Sequence, residues 1–231
     1  MRSGIRTQQS LMAEEQRSQF ITKTYLHLFA AVMAFMCVEY FLLRSEAAQN
    51  LAMSALQHNW LIILGIYMAV SWGASFMARS ASRGVQYAGL GLYVLAEAAI
   101  FLPLLMMAMF KTGDASLIFK SCMVTLSGFI ALTGIAFVTR KNFSFLRGAL
   151  MWGGILAMIA IVGGVLMGFS LGLWFSVLMV GLAGASILYT TSNIIHEYSE
   201  EDYVGASLEL FSALALMLWY VVRIFTSLSD D

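Results

Sequence analysis

Of the ionisable side chains that fall within or at the edges of otherwise apolar runs, five are candidates for chemistry: His27, Glu39, Glu97, Glu209 and Arg223. On insertion scales a charge at the centre of a hydrocarbon layer costs roughly 2.5–3.5 kcal/mol, so each asks for a partner, a water-filled cavity or a route to the interface. Glu97 lies near the middle of its run and Glu209 about one to two turns into the last one. They are the candidates for an ion path or a pH sensor, as carboxylates that titrate or coordinate a cation in a polar cavity. The alternative for each is a protonated acid satisfied by serine or backbone oxygen. Glu39 and Arg223 sit near the ends of their runs, where snorkelling to the interface accounts for them. His27 could sense pH, although a single histidine is more often a satisfied packing residue.

The elements that must position these groups are set by solvent. Of 231 residues, 60% are apolar and 11% charged, far from the roughly 25% charged of a soluble domain. A helix rises about 1.5 Å per residue, so crossing a hydrocarbon core of about 30 Å takes about 20 apolar residues. On that rule apolar spans fall at 21–43, 60–78, 85–110, 116–138, 148–168, 171–193 and 204–225. This predicts an all-α polytopic membrane protein with seven transmembrane helices. From Gly148 to Ile195 there is no Asp, Glu, Lys or Arg in 48 residues, which would make a rod of about 70 Å if unbroken. Two crossings are expected instead, with the reversal at Gly168–Gly172, where glycines flank a serine. The organisation is a polar N-terminal tail (1–20), one seven-helix domain (21–226) and a short acidic tail (227–231). The glycines at 153, 154, 163, 164, 168, 181 and 184 read as packing seams.

Arg2, Arg6, Arg17, Lys23, Arg79, Arg83, Arg140, Lys141 and Arg147 would share the side of the N-terminus, against Arg44, Lys111, Lys120 and Arg223 on the other. The excess marks the cytoplasmic face, so the N-terminus is expected inside and, after seven crossings, the C-terminus in the periplasm. The loop His196–Asp202 has no Lys or Arg and adds nothing to this balance. Cys37 and Cys122 read as small core residues.

The chemistry that is missing narrows the function. There is no His-Glu-x-x-His helix, no serine or aspartyl protease signature and no phosphate-cradling Gly-x-x-x-x-Gly-Lys. Gly89-Leu-Gly91 lacks the third glycine of a dinucleotide fingerprint, and the last span has no lysine for a retinal Schiff base. No enzyme, cofactor or metal site is expected. A formal charge of zero leaves no basic surface for nucleic acid.

Two stretches carry a family pattern: Thr139-Arg-Lys-Asn-Phe-Ser-Phe-Leu146, and Ile187-Leu-Tyr-Thr-Thr-Ser-Asn-Ile-Ile-His196 followed by an acidic loop and Asp202-Tyr-Val-Gly-Ala-Ser-Leu-Glu-Leu-Phe211. With Lys23-Thr-Tyr25 entering the first span, the chain resembles the Bax inhibitor-1/YccA family over essentially its whole length. The resemblance implies seven helices with the last surrounded by the first six. In some members it implies a pH-sensitive calcium leak through an aspartate pair sharing a proton, since two close carboxylates cannot easily both ionise. Here those positions hold Thr190 and Ala213, which cannot titrate. Glu209, four residues before Ala213 and so on the same helix face, could replace one carboxylate without its partner.

By the Thr-Ser-Asn-Ile-Ile-His run the chain is most similar to the bacterial YccA branch. That branch is implied to bind and restrain the membrane protease FtsH from the inner membrane, with the cytoplasmic tail involved. The partners expected are the lipid bilayer and a membrane AAA protease. The alternative is a cation leak for calcium or protons through Glu209 and Glu97, and a purely structural membrane protein is a third reading. The first two readings separate on whether Glu97 and Glu209 face each other across one polar cavity.

Overall fold

The structure is a computed structural model that describes residues 2–57, 60–113 and 115–229; Asp230 and Asp231 of the acidic tail lie outside them. Among the described residues it consists of eight helices and no strands. They are α1 (Arg2–Leu42), α2 (Glu46–Gln57), α3 (Trp60–Met77), α4 (Arg83–Thr112), α5 (Ser116–Thr139), α6 (Leu146–Met167), α7 (Gly172–His196) and α8 (Tyr203–Leu228). Seven of them lie where the sequence places apolar spans. Six are long and apolar enough to cross a membrane: Glu14–Leu42 of α1, together with α4, α5, α6, α7 and α8. The seven-crossing count is therefore six plus one shorter helix, because the apolar part of α3 is Leu61–Met77, about 26 Å at a helical rise and just under the core thickness.

α2 is a further correction, since the sequence reading leaves 44–59 as a loop. Its start carries local signals: the Ser45 hydroxyl accepts from the Ala48 amide at 3.3 Å, and Glu46 occupies the first turn, where an acid complements the helix dipole. A helix this short cannot span, so a search for 20 apolar residues passes over it.

The long neutral stretch breaks at Gly168–Gly172. Gly168 caps α6 at φ +72° and Gly172 opens α7 at φ +67°, a left-handed backbone that suits residues without a Cβ. The Gly164 carbonyl accepts from the Gly168 and Phe169 amides, closing the turn.

α4 and α8 share the centre. The most apolar stretch of α4 is 61% buried and that of α8 50%, against 28% or less in the other four long helices. α8 packs chiefly on α7, α1, α5 and α4, while α6 packs mainly on α7, so the last helix is not ringed evenly by the other six. The core of this arrangement is aromatic: Phe35 meets Phe101 at 5.1 Å and Phe211 at 5.9 Å, edge to face, and Phe101 meets Trp219 at 5.1 Å. Such pairs add about 0.5–1.5 kcal/mol beyond burial.

α3 lies against α4 at Gly89. A Cβ there would stand 2.6 Å from the Ala74 carbonyl oxygen and 2.7 Å from the Ala78 amide nitrogen, so only glycine permits this approach. Of the later glycines read as seams, Gly153, Gly164 and Gly184 meet neighbours closely, whereas a Cβ at Gly154, Gly163 or Gly181 would enter open space. The cysteine reading also changes: Cys37 is exposed and Cys122 half-buried. In lipid the outer surface is as apolar as the core, so an apolar run does not say which way a residue faces.

Candidate functional site

α4 and α8 start at the same end of the molecule, and the candidate acids lie at different heights along the pair. At the starting end two arginines hold the turn between α7 and α8, and a third reaches α8 beside it. The Arg17 guanidinium of α1 donates to the Tyr198 carbonyl at 2.7 Å. Arg83, opening α4, donates to the Glu201 carbonyl at 2.6 Å and stacks over the Tyr203 ring at 4.7 Å. Arg79, just past α3, pairs with Glu209. Arg79 is 59% exposed and Glu209 25%, so the pair is screened by water and contributes little net stability.

Arg79, Tyr198, Asp202, Gly205 and Glu209 enclose a small polar pocket of about 290 Å³. Burial, and then the Glu209 carboxylate, push the Tyr198 phenol above its ordinary value. His27 stacks on Tyr87 and leans on Tyr203 beside this turn. Its Nδ1 lies 2.7 Å from the Lys23 carbonyl, a packed histidine with local partners.

The two family-like stretches meet here. The Ser192 hydroxyl of α7 accepts from the Phe143 amide at 3.0 Å and donates to the Lys141 carbonyl at 3.3 Å. Arg140, at φ +48°, ends α5 just before that segment. α7 thus pins the α5–α6 connection.

Glu97 belongs to a different compartment. It is 5% exposed, and the Tyr67 hydroxyl of α3 donates to it at 2.6 Å, the length of a hydroxyl–carboxylate bond. One turn earlier on α4, Tyr93 donates to Ser212 of α8 at 2.8 Å, so α3, α4 and α8 are tied at this level. Glu97 lines a cavity of about 820 Å³ between α3, α4, α6, α7 and α8, whose far end holds Lys111, Arg223 and the Gly168–Leu171 turn. Glu209 and Glu97 therefore line separate cavities.

The remaining candidates are placed as follows. Thr190 and Ala213 are buried, at 2% and 3% exposure. Glu39, expected to snorkel, is instead 5% exposed with neither carboxylate oxygen hydrogen-bonded. Arg223 lies over the Tyr220 ring at 5.8 Å. Among the described residues no three His, Cys, Asp or Glu gather as a metal-binding group.

Sequence reasoning missed Tyr67 and the pairing roles of Arg17, Arg79 and Arg83, which it counted only as orientation charges. The loop that carried no weight for orientation is held through its backbone carbonyls by Arg17 and Arg83, while Arg79 reaches Glu209 on α8. No sequence signal marks the backbone carbonyls that accept from Arg17 and Arg83.

Comparison with known proteins agrees with this architecture. Residues 17–230 match the family model described as "Inhibitor of apoptosis-promoting Bax1". Similar curated proteins are "Modulator of FtsH protease YccA" of Escherichia coli strain K12 and "Inner membrane protein YccA" of Escherichia coli O6:H1, each 33% identical over 87 residues. That match spans 37% of this chain and 39% of each relative, less than half the length of the curated proteins. The family match begins at Arg17, which grips the α7–α8 turn, and runs through the whole α4–α8 core: the chain belongs to the Bax inhibitor-1/YccA family, as a multi-pass helical membrane protein on the YccA side of it.

Proposed function

We propose that this chain is a non-enzymatic protein of the bacterial inner membrane that modulates membrane protein quality control by binding and restraining an FtsH-type AAA protease. One observation carries the reading beyond the relative's name: α1 is a continuous helix of 41 residues, about 60 Å long and twice the hydrocarbon thickness. Its first part therefore continues outside the bilayer as a rigid extension, and Arg17 fastens its base to the α7–α8 turn. In this reading α3 completes seven crossings, the N-terminus is cytoplasmic and the C-terminus periplasmic, and the extension is the surface offered to the protease.

Deleting residues 2–13 leaves Arg17 and the apolar part of α1 in place. The expected result is loss of co-purification with the protease and faster degradation of a membrane substrate, with insertion unchanged. Unaltered co-purification and proteolysis would overturn the proposal.

The polar pocket supports a second reading, a pH-sensitive calcium leak. Glu209 and Asp202 share that pocket with Arg79, so opening the Arg79–Glu209 pair would expose carboxylates to a cation. This rests on Glu209 and Asp202 without Glu97, which lines the other cavity. Calcium entry into proteoliposomes across a pH series, compared for the parent and Glu209→Gln, tests it; equal flux retires it.

A further inference from the structure

The 820 Å³ cavity is built for a ligand of one kind. Its volume falls in the range of small-molecule sites, and its walls along α4, α6 and α8 are apolar, with Phe101, Leu104, Ala157, Ile161 and Leu216 among them. Its polar groups lie at opposite ends. At the deep end Glu97 is occupied by the Tyr67 hydroxyl. At the other end stand Arg223, Lys111, Thr226 and Ser227, beside Ser170 of the α6–α7 turn.

Glu97 is the one acid on the lining, and the one ion pair among the described residues is Arg79–Glu209, at the opposite end of the molecule. The charge of Arg223 is thus matched by no described carboxylate. Its partner is the Tyr220 ring face, at 5.8 Å. From Glu97 to Lys111 is fourteen residues of α4, about 21 Å at a helical rise, while one leaflet of a bilayer core is about 15 Å deep. Met68, Met107 and Val165 on the rim are more than 40% exposed, so the cavity opens sideways on the apolar outer surface that faces lipid.

An apolar slot somewhat longer than one leaflet is deep, open to the membrane and ending in a cation with a hydroxyl beside it, matches one amphiphile. We infer that this cavity is a binding site for an anionic phospholipid of the bilayer, with an acyl chain between α4, α6 and α8 and its phosphate at Arg223 and Lys111. The guanidinium supplies a forked donor set for phosphate oxygens, and the Ser227 hydroxyl can donate beside it. A zwitterionic lipid would fill the same slot, but its choline would return a positive charge to a cationic mouth.

Two glycines provide the test. A Cβ at Gly154, on the cavity wall, or at Gly65, on α3 away from it, would meet nothing within 4 Å. Leucine at either is tolerated and favours the helix, yet only Gly154→Leu places a side chain in the slot. The full-length protein, purified in a non-phospholipid detergent, is mixed with equal amounts of palmitoyl-oleoyl phosphatidylglycerol and phosphatidylcholine and examined by native mass spectrometry. The expected parent and Gly65→Leu spectra show a single retained phospholipid with phosphatidylglycerol strongly preferred. Gly154→Leu should lose both lipids. Arg223→Gln should keep a bound lipid but lose roughly fivefold of the headgroup preference, the effect of one cation beside an anionic headgroup. A parent that retains neither lipid or both equally, a Gly154→Leu protein that binds like Gly65→Leu, or an undiminished preference in Arg223→Gln would each overturn the assignment.

Discussion

Two levels of the α4–α8 pair treat a carboxylate in opposite ways. At the arginine-rich end Glu209 meets a full positive charge, Arg79, in a small polar pocket open to water. Further along, Glu97 meets neutral tyrosine hydroxyls, Tyr67 at 2.6 Å, on the wall of a large apolar cavity. The first arrangement fastens loops that can separate, since a screened ion pair is weak and water competes for both partners. The second is costly to disturb, since the acid is buried and loses the short bond that the Tyr67 hydroxyl makes to it. Two acids on adjoining helices thus line separate cavities, and the combined Glu97–Glu209 cation route expected from sequence would have to join them.

Both regions depend on where Gly89 lets α3 lie, because α3 carries Tyr67 to one acid and leads into Arg79 for the other. Gly89→Leu should disturb both at once and have the largest effect, a loss of about 3 kcal/mol or more in resistance to SDS-induced unfolding of the protein in micelles. Tyr67→Phe should affect only the deep region, by about 1–3 kcal/mol in the same measurement, because it removes a donor to a buried acid. Arg79→Gln should lower stability by no more than about 1 kcal/mol, while making the α7–α8 turn more accessible to protease, so that limited proteolysis registers a change that unfolding barely does.

The smallest effect concerns Tyr198. Its phenol is raised above the ordinary value by burial and by Glu209, so the folded state holds that proton more tightly than the unfolded chain. The associated stability is fully present below about pH 10 and is lost as the pH climbs beyond it. Tyr198→Phe should remove that alkaline loss and Glu209→Gln should reduce it, as read from unfolding midpoints at rising pH.

How legible each region was from sequence follows from the physics of lipid. The long helices could be read because a bilayer demands some 20 apolar residues in a row, and the α6–α7 break because Gly168 and Gly172 are suited to positive φ. α2 escaped because it is too short to be required by the membrane. The direction in which a residue faces also escaped: Cys37 looks outward and Glu39 inward, although both lie in one apolar run. Glu97 and Glu209 stood out as charges in the wrong solvent, but their partners did not. Tyr67 reads as one more aromatic in a span, and Arg79 lies 130 residues from Glu209, a separation across which no helical periodicity speaks.

The separation of the two acids is tested most directly by a double-mutant cycle on the full-length protein in micelles, with Glu97→Gln and Glu209→Gln made singly and together. The two stability changes are expected to add within about 0.5 kcal/mol, as for sites without shared partners. A coupling energy of about 1 kcal/mol or more would contradict it, because the two carboxylates would then share one site.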